Sequence, residues 1–246
     1  MKTLGIVGGG RAAWAFGSTW RRIGWPLAGV ALRSDSPIAE LLDVPRRTAA
    51  ELADEADLLL LAVSDRAIAE VSEQVPQEAK AIVVHASGSL PSIRGGFSLH
   101  PLRALPPVGA PSDLRDTLLV FEGHHKDVAQ QVAEAAGARF AEIAAADKPR
   151  YHAAAVFGSN YIAAMLEIAN RVIGIDAHDD LVALAHSAVE NWGAHSDRRR
   201  FTGPASRGDA ATMARHLEAL AGDPQLAAIY KLLADQIAGS ILATDD

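Results

Sequence analysis

Up to about residue 145, short runs rich in β-branched residues and leucine alternate with stretches in which apolar residues return every three or four positions. The first pattern predicts strands and the second helices, so this part of the chain reads as successive βα units. Strands are expected at TLGIVG (3–8), LAGVALR (27–33), DLLLLAV (57–63), AIVVHAS (81–87), GFSLHP (96–101), TLLVFEG (117–123) and RFAEI (139–143). Several are apolar throughout, as parallel strands covered on both faces are. Past ADKPR (146–150) the pattern becomes long Ala-rich amphipathic segments at 151–173, 180–192, 209–221 and 224–242. The expected fold is therefore α/β, with a doubly wound sheet in 1–145 and a smaller all-helical domain in 146–246. Asp147, two residues before Pro149, is expected to cap the first of those helices, since a side-chain oxygen can satisfy unpaired donors and proline tolerates a first turn.

Composition narrows the function. With 246 residues, 49% of them hydrophobic, the chain can bury one sizeable core or two modest ones. A net charge of −7 without a long basic run argues against a nucleic-acid partner, and the triplet Arg198 to Arg200 is too short to change that. The absence of cysteine excludes disulfides and thiolate metal sites, and no other metal site is expected. The opening MKTLGIVGGG lacks the regions of a signal peptide, and no apolar segment approaches the roughly 20 residues that span a bilayer. A cytoplasmic protein with no membrane partner is expected.

The chemistry starts at the end of the first strand. In GIVGGGRAAWAFG, Gly8, Gly10 and Ala13 match the G-x-G-x-x-A form of a dinucleotide turn. The first residue permits the turn, the second lets backbone approach a diphosphate, and the small third lets helix pack on strand. Gly9, Arg11 and Ala12 complete that turn, which a ligand-free strand-to-helix turn would also explain. The second strand ends on Arg33 and Ser34, where an acidic residue would mark NAD; guanidinium and hydroxyl suit the 2′-phosphate of NADP. Asp35 keeps NAD as the lesser alternative. Val63, Ser64, His85, Ser87 and Gly88 end the third and fourth strands, on the edge where open α/β sheets bind ligands. Ser64 and Ser87 would equally cap the turns that follow them.

Hydride transfer needs a partner for the proton, and imidazole titrates in the right range. His100 in FSLHPLRAL ends a predicted strand on the cofactor edge. Lys148, His152 and Asn160 stand at spacings of four and eight, expected on one helical face directed at a ligand or else simply solvated; His100 or His152 would exchange the proton, with Lys148 and Asn160 polarising or orienting the substrate. Tyr151 is expected to touch substrate. Thr202, Ser206 and Arg207, in RFTGPASRGD, form a candidate anion clamp ahead of a helix at Asp209, or an interhelical turn that Asp209 caps. His124 and His125 are assigned no function.

Together GIVGGGRAAWAFG, VVHASGSL, LHPL, YHAAAVFGSNY and TGPASRGD resemble, over essentially the whole chain, a bacterial family that joins a Rossmann-like domain to a helical C-terminal domain of unknown function. That family is similar in organisation to pyrroline-5-carboxylate reductase, deazaflavin-dependent NADP oxidoreductase and the 6-phosphogluconate dehydrogenase-like enzymes. The resemblance supports the cofactor and the architecture and leaves the substrate open; with the residues above, the expected function is an NADP(H)-dependent oxidoreductase acting on a small molecule with a C=O or C=N bond and an acidic group. It also implies a homodimer formed through the helical domain. LHPL resembles the His-Pro motif of prephenate dehydrogenases, which would make His100 the acceptor of a substrate hydroxyl proton, although the arginines that a dicarboxylate needs are not evident. A catalytically silent NADP-binding sensor or scaffold is the alternative from another class.

Overall fold

Strand-length apolar runs that lack helical spacing pair edge to edge, and all seven expected runs do so. In the computed structural model, which describes residues 1–242, they form β1 (Leu4–Val7), β2 (Leu27–Ala31), β3 (Leu58–Leu61), β4 (Ile82–His85), β5 (Phe97–Pro101), β6 (Leu118–Gly123) and β7 (Arg139–Glu142). They build one sheet in the order β2-β1-β3-β4-β5-β6-β7, parallel except between β5 and β6. Between β2 and β3 lies β1, so the chain reverses its march across the sheet at the end of β1. Such a switch point opens a crevice at the carboxyl ends of the strands.

Both faces of the sheet are covered by α1 (Arg11–Arg22), α2 (Ile38–Leu42), α3 (Ala49–Glu55), α4 (Asp65–Glu73) and α5 (Lys126–Ala136). Successive residues of a strand point to opposite faces, and β3 shows the consequence directly. Leu58 and Leu60 join Leu4, Ile6, Phe16, Trp20 and Val132 in one core, whereas Leu59 and Leu61 join Leu52, Ile68 and Val83 in the other. In α1 the buried Ala13, Phe16, Gly17 and Trp20 recur at helical spacing, which turns one stripe of the helix to the sheet.

Beyond β7 the chain is helical: α6 (Lys148–Phe157), α7 (Asn160–Val172), α8 (His178–Ala194), α9 (Pro204–Arg207), α10 (Ala210–Ala219) and α11 (Pro224–Leu242). The expected helix 151–173 is thus two helices, interrupted at Gly158 and Ser159. Asp147 occupies the position before α6 without capping it, because a 3-10 turn at Ala145–Asp147 gives it helical backbone angles and its side chain makes no cap bond. Two compact units result, one from Met1 to Tyr161 and one from Ile162 onward. Among the described residues no helix is long and apolar enough to cross a membrane.

Candidate functional site

The carboxyl edge of the sheet gathers Gly8 to Gly10 after β1, Arg33 to Ser36 after β2, Val63 and Ser64 after β3, Ser87 and Gly88 after β4, and His100 near the end of β5. Strand polarity alone places them there, since β1 to β5 run parallel. Gly8 has φ +123°, and a Cβ on it would collide with the Ala62 carbonyl oxygen. Only glycine fits that close approach to β3. Gly10 differs: it precedes the first turn of α1, and a Cβ there would meet nothing within 4 Å. No side chain caps α1 and its first turn holds no acidic residue, so unpaired N–H groups and the positive end of the helix dipole face open space. That arrangement fits a diphosphate. Ala13, the third residue of the turn, is fully buried against the sheet, so its part is helix packing.

Around this turn, neighbours settle side chains that the sequence left free. Ser36 Oγ donates to the Gly9 carbonyl at 3.0 Å, tying the segment after β2 to the glycines. Asp35 is ion-paired with Arg46 at 3.6 Å on the open surface. Arg33 and Ser34 are exposed, and among the described residues no protein group engages the Arg33 guanidinium. Arg11 lies at the start of α1 with its guanidinium 3.4 Å from the Leu105 carbonyl, beneath a connection that Trp14 also holds through Nε1 to the Ala110 carbonyl at 2.7 Å. Ala12 shares that exposed first turn, partly buried.

At the end of β4 the structure departs from expectation. His85 is fully buried: Nε2 lies 2.9 Å from the Pro91 carbonyl and Nδ1 accepts from Ser87 N at 3.2 Å. Both ring nitrogens are thereby satisfied, and burial pushes its pKa down. It holds the loop rather than lining the crevice, because the pleat directs it inward. Ser87 accepts from Ser89 N at 3.2 Å and Leu90 N at 3.0 Å, so its oxygen caps the turn that follows β4. Ser64, by contrast, precedes α4 without a cap bond and is exposed.

The start of α6 also differs. Lys148 is 1% exposed and donates to the Ser87 carbonyl at 3.0 Å and to Ser98 Oγ at 2.6 Å. Burial pushes its pKa down. It therefore braces the loop after β4 against β5 instead of presenting an ammonium to a ligand. Asn160 begins α7, past the interruption, and is exposed with Ser159 Oγ donating to its Oδ1 at 3.0 Å. Of the expected stripe, Lys148 and His152 share the face of α6 that meets the Ser87–Gly88 loop, whereas Asn160 lies past the break and is bonded to Ser159.

What the fold does assemble is a cluster of His100, Tyr151, His152 and Gly88. The Tyr151 hydroxyl lies 2.6 Å from His100 Nδ1. The His100 and His152 rings meet edge to face, with centroids 5.7 Å apart. A Cβ on Gly88 would lie 2.6 Å from His152 Cδ2 and 3.0 Å from His100 Nε2, so only a residue without a side chain leaves both imidazoles in place. Burial pushes His100 down to about 4 and Tyr151 up to about 12; a neutral imidazole beside a protonated phenol follows at neutral pH. Neither Ser36 nor Ser98 was singled out from the sequence, which carries no signal for the contacts that give them their parts.

In the second unit, the TGPASRGD segment forms the single turn α9 followed by Gly208. Ser206 Oγ donates to the Gly203 carbonyl at 2.9 Å, and Asp209 caps α10 by accepting from Thr212 N at 3.0 Å. Thr202 precedes this turn and Arg207 ends it, both exposed.

Comparison with known proteins agrees with this architecture. A Rossmann-like domain model matches residues 2–102, and the model of a domain of unknown function (DUF2520) matches residues 118–237. No curated protein sequence matches the chain. Among solved structures, a candidate NADP oxidoreductase from Bacteroides fragilis is 22% identical, with a TM-score of 0.79 over 97% of this chain and 98% of that one. A Thermotoga maritima protein is likewise 22% identical, with a TM-score of 0.73 over 96% and 98%. The reductive aminase of Aspergillus terreus, solved with NADPH and ethyl levulinate, is 14% identical, with a TM-score of 0.67 over 96% and 93%. At these identities the likeness is one of fold. The two matched models, laid end to end along the sequence, give the chain a Rossmann-like domain followed by a DUF2520 domain.

Proposed function

We propose that the protein is an NADP(H)-dependent oxidoreductase acting on a small molecule with a C=O or C=N bond and an acidic group. The observation that carries this reading is the uncapped, open N-terminus of α1 at the same sheet edge as the His100 cluster. The fold likeness to proteins whose names include NADP oxidoreductase and an NADPH-bound aminase supports it.

When bound, the nicotinamide nucleotide supplies or accepts hydride. The chain's own groups do the rest. Backbone N–H groups of Gly9 to Ala12 hold the diphosphate, and Arg33 with Ser34 holds the 2′-phosphate through charge-assisted hydrogen bonds. NADP is preferred to NAD because no bond engages Arg33 among the described residues, while Asp35 faces Arg46 at 3.6 Å. His100 meets the substrate atom that gains or loses a proton, and His152 shapes the opposite wall above Gly88. Val63 and Ser64 line the middle of the edge.

The second unit is proposed to pair with a second copy of the chain. Its helices expose Leu184, Val189, Trp192 and Leu232, each more than half accessible, and apolar side chains in such number mark an interaction surface.

The test is a fluorescence titration with NADPH and NADH, followed by a turnover screen of oxo acids, imino acids and hydroxy acids. Arg33→Gln is expected to weaken NADPH about 10-fold or more and leave NADH unchanged, the loss of one charge-assisted contact. No binding of either nucleotide at millimolar concentration overturns the reading. Binding without turnover of any substrate class supports a sensor instead.

A further inference from the structure

We infer that Tyr151 is a positioning residue for His100: its hydroxyl donates to Nδ1 and holds the imidazole as the Nε2–H tautomer, a neutral hydrogen-bond donor suited to the lone pair of a substrate carbonyl or uncharged imine. The inference deepens the proposed function, on which its substrate class rests.

A phenol and an imidazole 2.6 Å apart can share a hydrogen bond in two senses, and their chemistry decides between them. Phenolic O–H is far more acidic than a neutral imidazole N–H, and an imidazole nitrogen is far more basic than a phenolic oxygen. The bond therefore runs from Tyr151 to His100, Nδ1 accepts, and the one proton of a neutral ring resides on Nε2. Burial of both groups reinforces this by keeping the phenol protonated and the imidazole uncharged. His152 and Lys148 on α6 and Asp65 at the start of α4 are the other titratable groups that act on His100; the first two disfavour its charged form and Asp65 favours it.

Nε2 is the free end. It lies 3.0 Å from the position that a Gly88 Cβ would take, and among the described residues no protein group bonds to it. A ring with Nε2–H can donate to a C=O oxygen or a C=N nitrogen, but it cannot accept a hydroxyl proton there. A cationic iminium, which has no lone pair, would gain nothing from this donor. The His-Pro resemblance assigns His100 the role of proton acceptor; the tyrosine beside it argues for the opposite role in the resting site.

The experiment is long-range proton–nitrogen correlation NMR on uniformly nitrogen-15-labelled full-length protein, with His100 assigned from the signals lost in His100→Gln. The expected wild-type spectrum shows protonated Nε2 and unprotonated Nδ1 from about pH 8 down to about pH 5. In Tyr151→Phe the two tautomers should mix and the titration midpoint should move upward. A wild-type ring protonated at Nδ1, or a Tyr151→Phe spectrum identical to wild type, overturns the inference. The wild-type measurement decides even where the variant fails to fold. No nucleotide is in the tube, so a chain that proves unable to bind NADPH would defeat the proposed function and leave the tautomer result standing.

Discussion

Lys148 Nζ lies 2.6 Å from Ser98 Oγ, joining the first turn of α6 to the interior of β5 across 50 residues of sequence. The same ammonium donates to the Ser87 carbonyl at 3.0 Å, so one buried side chain sets where the loop carrying Gly88 stands. Removing it should act on stability before it acts on any ligand. Lys148→Met keeps the apolar stem but strands two acceptors, an expected loss of about 1–3 kcal/mol, and Lys148→Ala adds a cavity and should lose more. Urea denaturation reads both. The pH dependence has a definite sign: burial lowers the lysine's pKa in the folded chain below its ordinary 10.5. Between those two values the unfolded chain binds the extra proton, so wild-type stability should rise with pH across that window. Lys148→Met should lack the rise.

Gly88→Ala tests the packing of the two imidazoles. Its Cβ would stand 2.6 Å from His152 Cδ2 and 3.0 Å from His100 Nε2, and one of the rings must move. Overpacking of this kind costs about 1–3 kcal/mol. Turnover should fall by a larger factor than stability alone explains, with nucleotide affinity nearly unchanged, measured on folded protein at low temperature.

His100 should leave a signature on the acid limb of stability. Its pKa falls from 6.5 unfolded to about 4 folded, so the unfolded chain binds the proton between those values and folding weakens as pH drops through them. Stability is unaffected above the unfolded value, and the loss reaches about 3 kcal/mol once pH is below both. Denaturation of His100→Gln against wild type, from neutral to acidic buffer, isolates it as a shallower slope.

Ser36→Ala and Arg33→Gln should separate two parts of the nucleotide site. Ser36 Oγ holds the Gly9 carbonyl at 3.0 Å and acts on the turn itself. Its loss, about 1 kcal/mol, should weaken NADPH and NADH equally, by about 5-fold. Arg33→Gln should weaken NADPH alone. Parallel titrations of both variants with both nucleotides give the comparison.

The strands were legible because their signal is local. Leu58 to Leu61 are apolar in succession, which marks a strand buried on both faces, and the structure divides them between two cores. The break between α6 and α7 was less legible: Gly158 stands in a helical pattern, and a lone glycine is tolerated there. Asp147 shows another limit, because capping depends on backbone angles that its 3-10 turn does not provide.

What the sequence by itself determined is the order of elements, the glycine turn at the switch point and the edge on which chemistry-bearing residues collect, since periodicity and strand polarity follow from neighbours in the chain. Tertiary structure decided which of those residues face a ligand. His85 and His100 both lie at strand ends, yet the first is enclosed with Pro91 and Ser87 while the second meets Tyr151 from 51 residues away. Lys148 looked like a group aimed at substrate and is a buried brace. Burial and hydrogen-bond partners are set by segments distant in sequence, and they govern whether a polar side chain stabilises the fold or remains available for chemistry.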